Sequence, residues 1–491
     1  MLIVAGASAV GAAAVQRWRR GRTRQSRPVA ERVPLFGHVA AVLLLAAIVA
    51  AFAGLSLWWV FGHLHPAGAA GSTPTSIPAG PAVWSVQNSF EAIKIVLALV
   101  AGIGGVVALT VAYRKQDHGE AAEHRENTKL FNERFGKAAE QLGSDKVAVR
   151  LAGVYAMAGL ADDWAEGRQT CIDVLCGYLR MPYTPPDDDT ASTPKPAAQE
   201  SPAANDRRSE RQVRQTIISL IRDHLLLGEA APSPRASWHG RQFNLRGATL
   251  DGGNLAGIVI TRGTLLDFTG ANFPSDTVSF DEASLAGGIV FFTDATFSGG
   301  TVSFADAKLS TGRIGFTGAR FSGGGLSFVR AMLSGGELDF LAAEFSAGRV
   351  HFTNAKFDGS WLLFQNVRFA GSRVYFASAN FSDGGLRFDH ARFENGEMHF
   401  TNARFGDGAV SFIDASFSGC ALNFTNAWFT GGAVNFADAR ITGGPLDFRR
   451  PESWAVPPLG IARSNPNVLW PSPQELKKDS RKPGRSGDDA R

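Results

Sequence analysis

The sequence predicts a mixed protein with two N-terminal transmembrane α-helices, a small α-helical cytoplasmic module and a C-terminal β-solenoid with a 12-residue sequence period. Three observations carry this. Phenylalanine recurs at every twelfth position from 268 to 448, sixteen times without a slip. Residues 39–61 and 95–113 are long runs without a charge. Between these runs and the repeat, apolar residues fall at helical spacing. Composition agrees: Phe 35 against Tyr 5 in 491 residues is the imbalance of a chain that uses one aromatic repetitively. Lys plus Arg 49 against Asp plus Glu 45 leaves +4, too slight for a nucleic-acid binder. A charged fraction of 19% is too low for a wholly disordered chain.

Residues 1–38 form a basic segment, with seven arginines and one glutamate between positions 17 and 32. The 23 residues 39–61 (VAAVLLLAAIVAAFAGLSLWWVF) amount to ~35 Å of helix, enough to cross a hydrocarbon core of ~30 Å. Trp58 and Trp59 close that run, where indoles favour an interface. Residues 62–94 are an external loop, whose stretch 62–91 has no Lys or Arg. The 19 residues 95–113 form the second span and end at Arg114 and Lys115. The positive-inside rule then places both termini in the cytoplasm, as in a multi-pass protein of the plasma membrane. The opening MLIVAGASAVGAAAV has no βαβ context for a dinucleotide fingerprint and no basic region for a signal peptide. A third short span and an over-extended start both remain open for it.

Residues 114–183 read as a helical module. Leu130, Phe131, Phe135, Ala138 and Leu142 share one stripe, and Gly143 ends that helix. Ser144 or Asp145 is expected to cap the next one, and a third helix follows at 170–179. Cys171 and Cys176 have no histidine neighbour and read as buried small residues, not as zinc ligands or a nucleophile. Residues 184–206 hold five prolines and no large apolar side chain, the composition of a disordered linker. A last helix is expected at 207–228, and a Pro-rich tail, largely disordered after its first dozen residues, at 451–491.

The solenoid is placed at residues 240–450. An aliphatic residue stands two before each repeat phenylalanine, an alanine three after (Val367 excepted), and Phe, Leu or Ile five after. Spacing two means one face of a strand, so each period holds two three-residue strands joined by tight corners. A coil of twelve leaves no width for two phenylalanine rings at native density, whereas a four-sided coil of twenty-four does. Phe352, Phe364, Val374, Phe376 and Phe388 are the expected core. Corner residues such as Asp294, Asp306, Asn354, Asn402, Asp414 and Asp438 are expected to hydrogen-bond the corner backbone. Upstream, Leu245, Leu250, Leu255, Ile260 and Leu265 repeat every five.

On Ala248-Thr249-Leu250, Gly253-Asn254-Leu255 and Ala271-Asn272-Phe273 the chain resembles the pentapeptide-repeat family, with every second unit stretched from five residues to seven. The resemblance implies a four-sided, right-handed β-helix. The block from AEQLGSDKVAVRLAGVYAMAGLADD to IDVLCGYLRMPY also resembles the module ahead of such repeats in actinobacterial membrane proteins of unknown function.

No pocket of convergent catalytic groups is legible, so neither an enzyme nor a cofactor or metal is expected. The expected function is a non-catalytic, membrane-tethered scaffold whose solenoid binds an unidentified cytoplasmic protein. Nucleic acid is not expected as a partner, and the oligomeric state is left open. Two alternatives stand beside it: an uncharacterised enzyme, ranked last, and, drawn from the family, DNA mimicry towards gyrase, which needs a strongly acidic surface. Residues 241–450 carry 17 basic and 19 acidic side chains, a net of only −2. The candidate surface is the column between each alanine and the following aromatic, which reads Lys356, Arg368, Arg392, Arg404 and Arg440 among others. His351, His390 and His399 are assigned to different outward columns.

Overall fold

The computed structural model describes residues 86–186, 202–228, 233 and 235–479, with seven helical positions between 44 and 59. By its contacts the chain divides into two units, Met1–Asn127 and Thr128–Arg491. A single helix of 57 residues, α1 (Val86–Leu142), contributes to both. In the first unit its side chains Leu97, Val100, Val106, Leu109 and Tyr113 are exposed. Among the described residues no helix is long and apolar enough to cross a membrane. Most of 39–61 lies outside the described residues, while 95–113 is helical, its described side chains exposed apart from the half-buried Val107, and it is continuous with a charged stretch. The two expected spans are therefore not supported by the described structure.

In the second unit the end of α1 packs with α2 (Val147–Asp163), α3 (Arg168–Leu179) and α4 (Pro202–Asp223). Val154, Met157, Ala161, Ile172, Leu175, Val213, Ile217 and Ile221 are buried. Lys146, not Ser144 or Asp145, is the N-cap of α2; Ser144 Oγ accepts the Lys146 N–H at 3.2 Å, one step too early for a cap. Helix α4 begins at Pro202, so residues 202–206 are helical instead of linker, with proline where its missing N–H costs nothing. Residues 187–201, the middle of the expected linker, lie outside the described residues.

From Gln242 to Leu469 the chain winds through about 10 turns of parallel β-coil. The register is twenty-four residues. Val350 pairs with Val374, which pairs with Met398, and Ile314 pairs with Leu338, which pairs with Leu362. One sequence period is thus half a coil, and alternate periods lie on opposite sides. Inside, Phe352, Phe376 and Phe400 stack at 4.7 and 4.9 Å with planes 3° apart. Phe364 and Phe388 form a neighbouring column at 4.9 Å, which meets the first edge to face, Phe364 to Phe376 at 6.5 Å and 84°. The vertical spacing is the strand spacing of ~4.8 Å, so the rings of successive coils are held at stacking distance by the backbone ladder.

The tight corner closes through a hydrogen bond from the Ala379 N–H to the Phe376 carbonyl, 3.0 Å, with Ser378 between them at φ 56°. The equivalent Asp294, Asp306, Asn354, Asn402, Asp414 and Asp438 have φ 54° to 59°. This corrects their expected role. They occupy a left-handed position that Asn and Asp tolerate best among non-glycine residues. The corner N–H is met instead by the residue just before the phenylalanine: Asp339 Oδ1 accepts from Leu341 N–H at 2.7 Å, and Asn423 Oδ1 from Thr425 N–H at 2.8 Å.

Both ends of the solenoid are covered. At the first coil, Arg214 of α4 is buried over the Tyr183 ring at 4.4 Å and donates to the carbonyls of Tyr178, Leu179 and Thr249. Tyr183 donates its hydroxyl to Asp251 at 2.7 Å, and Arg211 bonds the Asp251 carbonyl and pairs with Asp276. Trp238 lies between His224 and Phe243, and both its indole N–H and His224 Nε2 engage the carboxylate of Asp162. At the far end, Trp470 stacks on Phe448 at 5.6 Å and Trp454 meets it edge-on, ahead of a short helix, α5 (Pro473–Asp479). The tail is therefore structured as far as Asp479, further than its composition suggested. Its tryptophans supply the apolar cover that the last phenylalanine otherwise lacks.

Candidate interaction surface

The five basic residues singled out from the sequence fall into two outward rows. One reads Lys308, Met332, Lys356, Asn380, Arg404, Trp428, and the other Arg320, Glu344, Arg368, Arg392, Ser416, Arg440. Each is tied to the coil by its neighbours: Lys356 precedes Phe357 and Arg404 precedes Phe405, both buried. The structure separates them by chemistry. Arg368 is clamped from both sides, bidentate to Glu394 at 2.9 and 2.7 Å and paired with Glu344. The Arg368 guanidinium holds the Glu394 carboxyl below its ordinary range. This clamp relieves the stacking of Arg368 on Arg392, which has no ion pair of its own among the described residues. Arg404 lies over the Trp428 ring at 4.9 Å. Lys356 and Arg440 are exposed and without an ion pair among the described residues. The expected core residues Phe352, Phe364, Val374, Phe376 and Phe388 are buried, at most 1% exposed.

A second surface was missed. On the side built over Val350, Val374 and Met398, the outward residues form two parallel columns, Arg349, Arg373, Glu397 and His351, Tyr375, His399. The rings stack as a continuous column, His351 on Tyr375 at 4.7 Å and Tyr375 on His399 at 5.1 Å, with planes within 7°. His351 and His399 therefore share a column, contrary to their assignment to different ones. Their separation of 48 residues is two coils, and the intervening Tyr375 sits at the midpoint; multiples of twenty-four were the available signal. His390 stands apart at a corner, 3.8 Å from Asp414. Burial, then the nearby Arg349 charge, lowers the His351 pKa. His399 meets Glu397 at 3.2 Å.

Beside the arginine column lies a groove of about 470 Å³ lined by Thr301, Gly323, Gly324, Gly325, Gly348 and Gly371, with Arg349 and Arg373 at its rim. The facing side carries Trp361, half-exposed, its ring laid over Gly385 and under the Arg387 guanidinium at 4.4 Å. All three cysteines are buried and free. Burial raises the thiols of Cys171 to about 11 and of Cys176 and Cys420 to about 12, which keeps them protonated. Among the described residues no group of three or more His, Cys, Asp or Glu side chains could hold a metal ion.

Against this geometry stand the comparisons with known proteins. The family model for pentapeptide repeats (9 copies) matches residues 400–450. That stretch is two full coils of the solenoid, so the family resemblance and the four-sided architecture coincide there. No curated protein and no solved structure matches the chain.

Proposed function

We propose that the protein is a non-catalytic interaction scaffold, tethered to a membrane by its N-terminal apolar runs, whose solenoid presents rows of side chains to a cytoplasmic protein. Pentapeptide-repeat solenoids are typically non-enzymatic repeat structures used for protein interaction, and the match over residues 400–450 supports that class. The observation that carries the reading is the outward rows: inward columns are wholly apolar, while Lys356, Arg392 and Arg440 are held in fixed register with no ion pair among the described residues. Folding does not require a basic residue there, and an acidic partner surface is the complement of such rows.

The tether rests on sequence: 23 and 19 uncharged residues flanked by arginine-rich and Arg-Lys ends. The exposed Leu97, Val100, Val106 and Leu109 are the side chains a bilayer would cover. The resemblance of the helical block to actinobacterial membrane modules belongs to the same proposal. The test has two arms. Arg392→Glu with Arg440→Glu and Lys356→Glu is expected to lose the proteins captured by the parent while circular dichroism is unchanged; identical capture sinks the scaffold reading. A cysteine at Ser76 is expected to react with an impermeant thiol reagent on intact cells and one at Ser192 is not; the reverse pattern refutes the tether as drawn.

A further inference from the structure

We propose that the glycine-floored groove beside Arg349 and Arg373 is a binding site for a phosphate group, free or carried as a small monoester. The argument begins with an imbalance of charge. Arg349 and Arg373 are direct ladder partners, so their stems leave the coil on adjacent rungs, ~4.8 Å apart. At the other stacked arginine pair, Arg368 and Arg392, two carboxylates are at hand, Glu344 and Glu394, both bound to Arg368. Here the one ion pair among the described residues is between Arg373 and Glu397, at 3.5 Å, on the side away from the groove. Arg349 has none among the described residues, and no carboxylate lines the groove. Two guanidiniums on neighbouring rungs with one carboxylate between them keep a net positive charge for an anion to offset.

The shape of the groove selects which anion. In the column that reads Thr301, Gly325, Arg349, Arg373, the glycine leaves a notch between a hydroxyl and a guanidinium. A Cβ built on Gly325 would stand 3.2 Å from Thr301 Oγ1 and 3.2 Å from the Arg349 carbonyl, so any side chain there closes the notch. Gly323, Gly324, Gly348 and Gly371 keep the surrounding floor free of side chains. A tetrahedral dianion carries more charge than a carboxylate and spreads its oxygens out of one plane, which suits two guanidiniums and a hydroxyl converging from different directions. Two residues along the same strands, ~7 Å away, begin the rings of His351 and Tyr375. A monoester would therefore have a flat aromatic edge within reach for the group that bears its phosphate. This site uses neither basic row of the scaffold reading and stands or falls without it.

The test is calorimetry on the purified full-length chain with two probes, inorganic phosphate and adenosine monophosphate. Saturable binding tighter than about 1 mM is expected for at least one of them. Equal affinities support free phosphate as the occupant, and tighter binding of the nucleotide supports a monoester. Arg349→Ala is expected to weaken binding about tenfold or more, the loss of one charge-assisted donor. Gly325→Thr, which removes no charge, is expected to weaken it comparably by filling the notch. Arg392→Ala, on another side of the coil, is expected to leave it unchanged. A further readout separates binding from folding: the anion offsets the Arg349 charge, so saturating phosphate is expected to raise the proton affinity of His351 in a histidine NMR titration. No saturable binding to either probe, or binding indifferent to both Arg349→Ala and Gly325→Thr, overturns the proposal.

Discussion

Phe376→Ala is the substitution whose cost the structure defines best. Phe376 is 0% exposed, stacked between Phe352 and Phe400, and bounded by Phe364 and Phe388 edge-on and by Phe381 at 6.0 Å. Truncation to alanine removes the ring from a column whose members above and below are fixed by the backbone ladder, so the void cannot collapse. Large-to-small changes of this kind cost about 3–5 kcal/mol, and the rigid column places this one near the upper end. Part of that is ring-to-ring: two face-stacked neighbours at about 0.5–1.5 kcal/mol each are lost. Phe376→Leu keeps most of the apolar volume and is expected to cost about 1–3 kcal/mol, essentially the stacking share. Arg373→Ala, three residues earlier and with its side chain 52% exposed, is expected to cost within about 0.5 kcal/mol. Urea unfolding followed by far-ultraviolet circular dichroism gives the ranking directly. Equal sensitivity at 376 and 373, or a leucine variant as unstable as the alanine, refutes the idea that the stacked column carries the solenoid.

Three further outcomes follow from the corners, the first-coil cap and the tail. Asn402→Val places a β-branched residue at φ 58° and is expected to lower the thermal midpoint by the equivalent of about 1–2 kcal/mol, whereas Asn402→Gly is near neutral; similar melting of the two would show that the corner does not need its left-handed residue. Although burial opposes it, the Asp162 hydrogen bond raises the pKa of His224, so the stabilisation is complete below the unfolded value of ~6.5 and is lost as pH rises through the folded one. Thermal unfolding is expected to be easier at pH 8 than at pH 6, with the difference attenuated in Asp162→Asn; an unchanged difference in that variant removes His224 from the account. Deleting residues 451–491 takes Trp454 and Trp470 off Phe448 and is expected to produce concentration-dependent association on size-exclusion chromatography; a monodisperse, equally stable product would mean that the tail is not a cap.

Phenylalanine at every twelfth position made the solenoid legible, because each inward column is a fixed chemical demand repeated on every turn. The twenty-four-residue coil followed from ring volume alone. What sequence could not supply was anything set by the meeting of distant segments. Arg168 lies in a helix like any other arginine, yet it is buried and donates to the Ala161 carbonyl at 2.7 Å and to the Ser237 carbonyl at 3.1 Å, a contact spanning 69 positions. The first-coil cap is built from such pairs, so composition read residues 202–206 as linker when α4 had already begun. At the candidate surface, the basic rows were legible because they share one position of the repeat. The Arg349 and Arg373 pair and the ring column were not, since arginine and histidine at those positions mean nothing until alternate periods are seen to stack. The tail was misjudged for a related reason: its two tryptophans are isolated in sequence and only meet on the last phenylalanine.

Because one period is half a coil, the two halves of every turn are interchangeable in the core but not on the surface. An insertion of twelve residues anywhere in the repeat would move every later inward phenylalanine from one phenylalanine column to the other and keep every corner at its left-handed residue. It would also carry all later outward residues round to the opposite side. An insertion of twenty-four would lengthen the solenoid and leave the rows intact. Duplication by odd and even numbers of periods is thus a way to shuffle which side chains share a face without changing the character of the core, and the row of His351, Tyr375 and His399 exists only in the present parity.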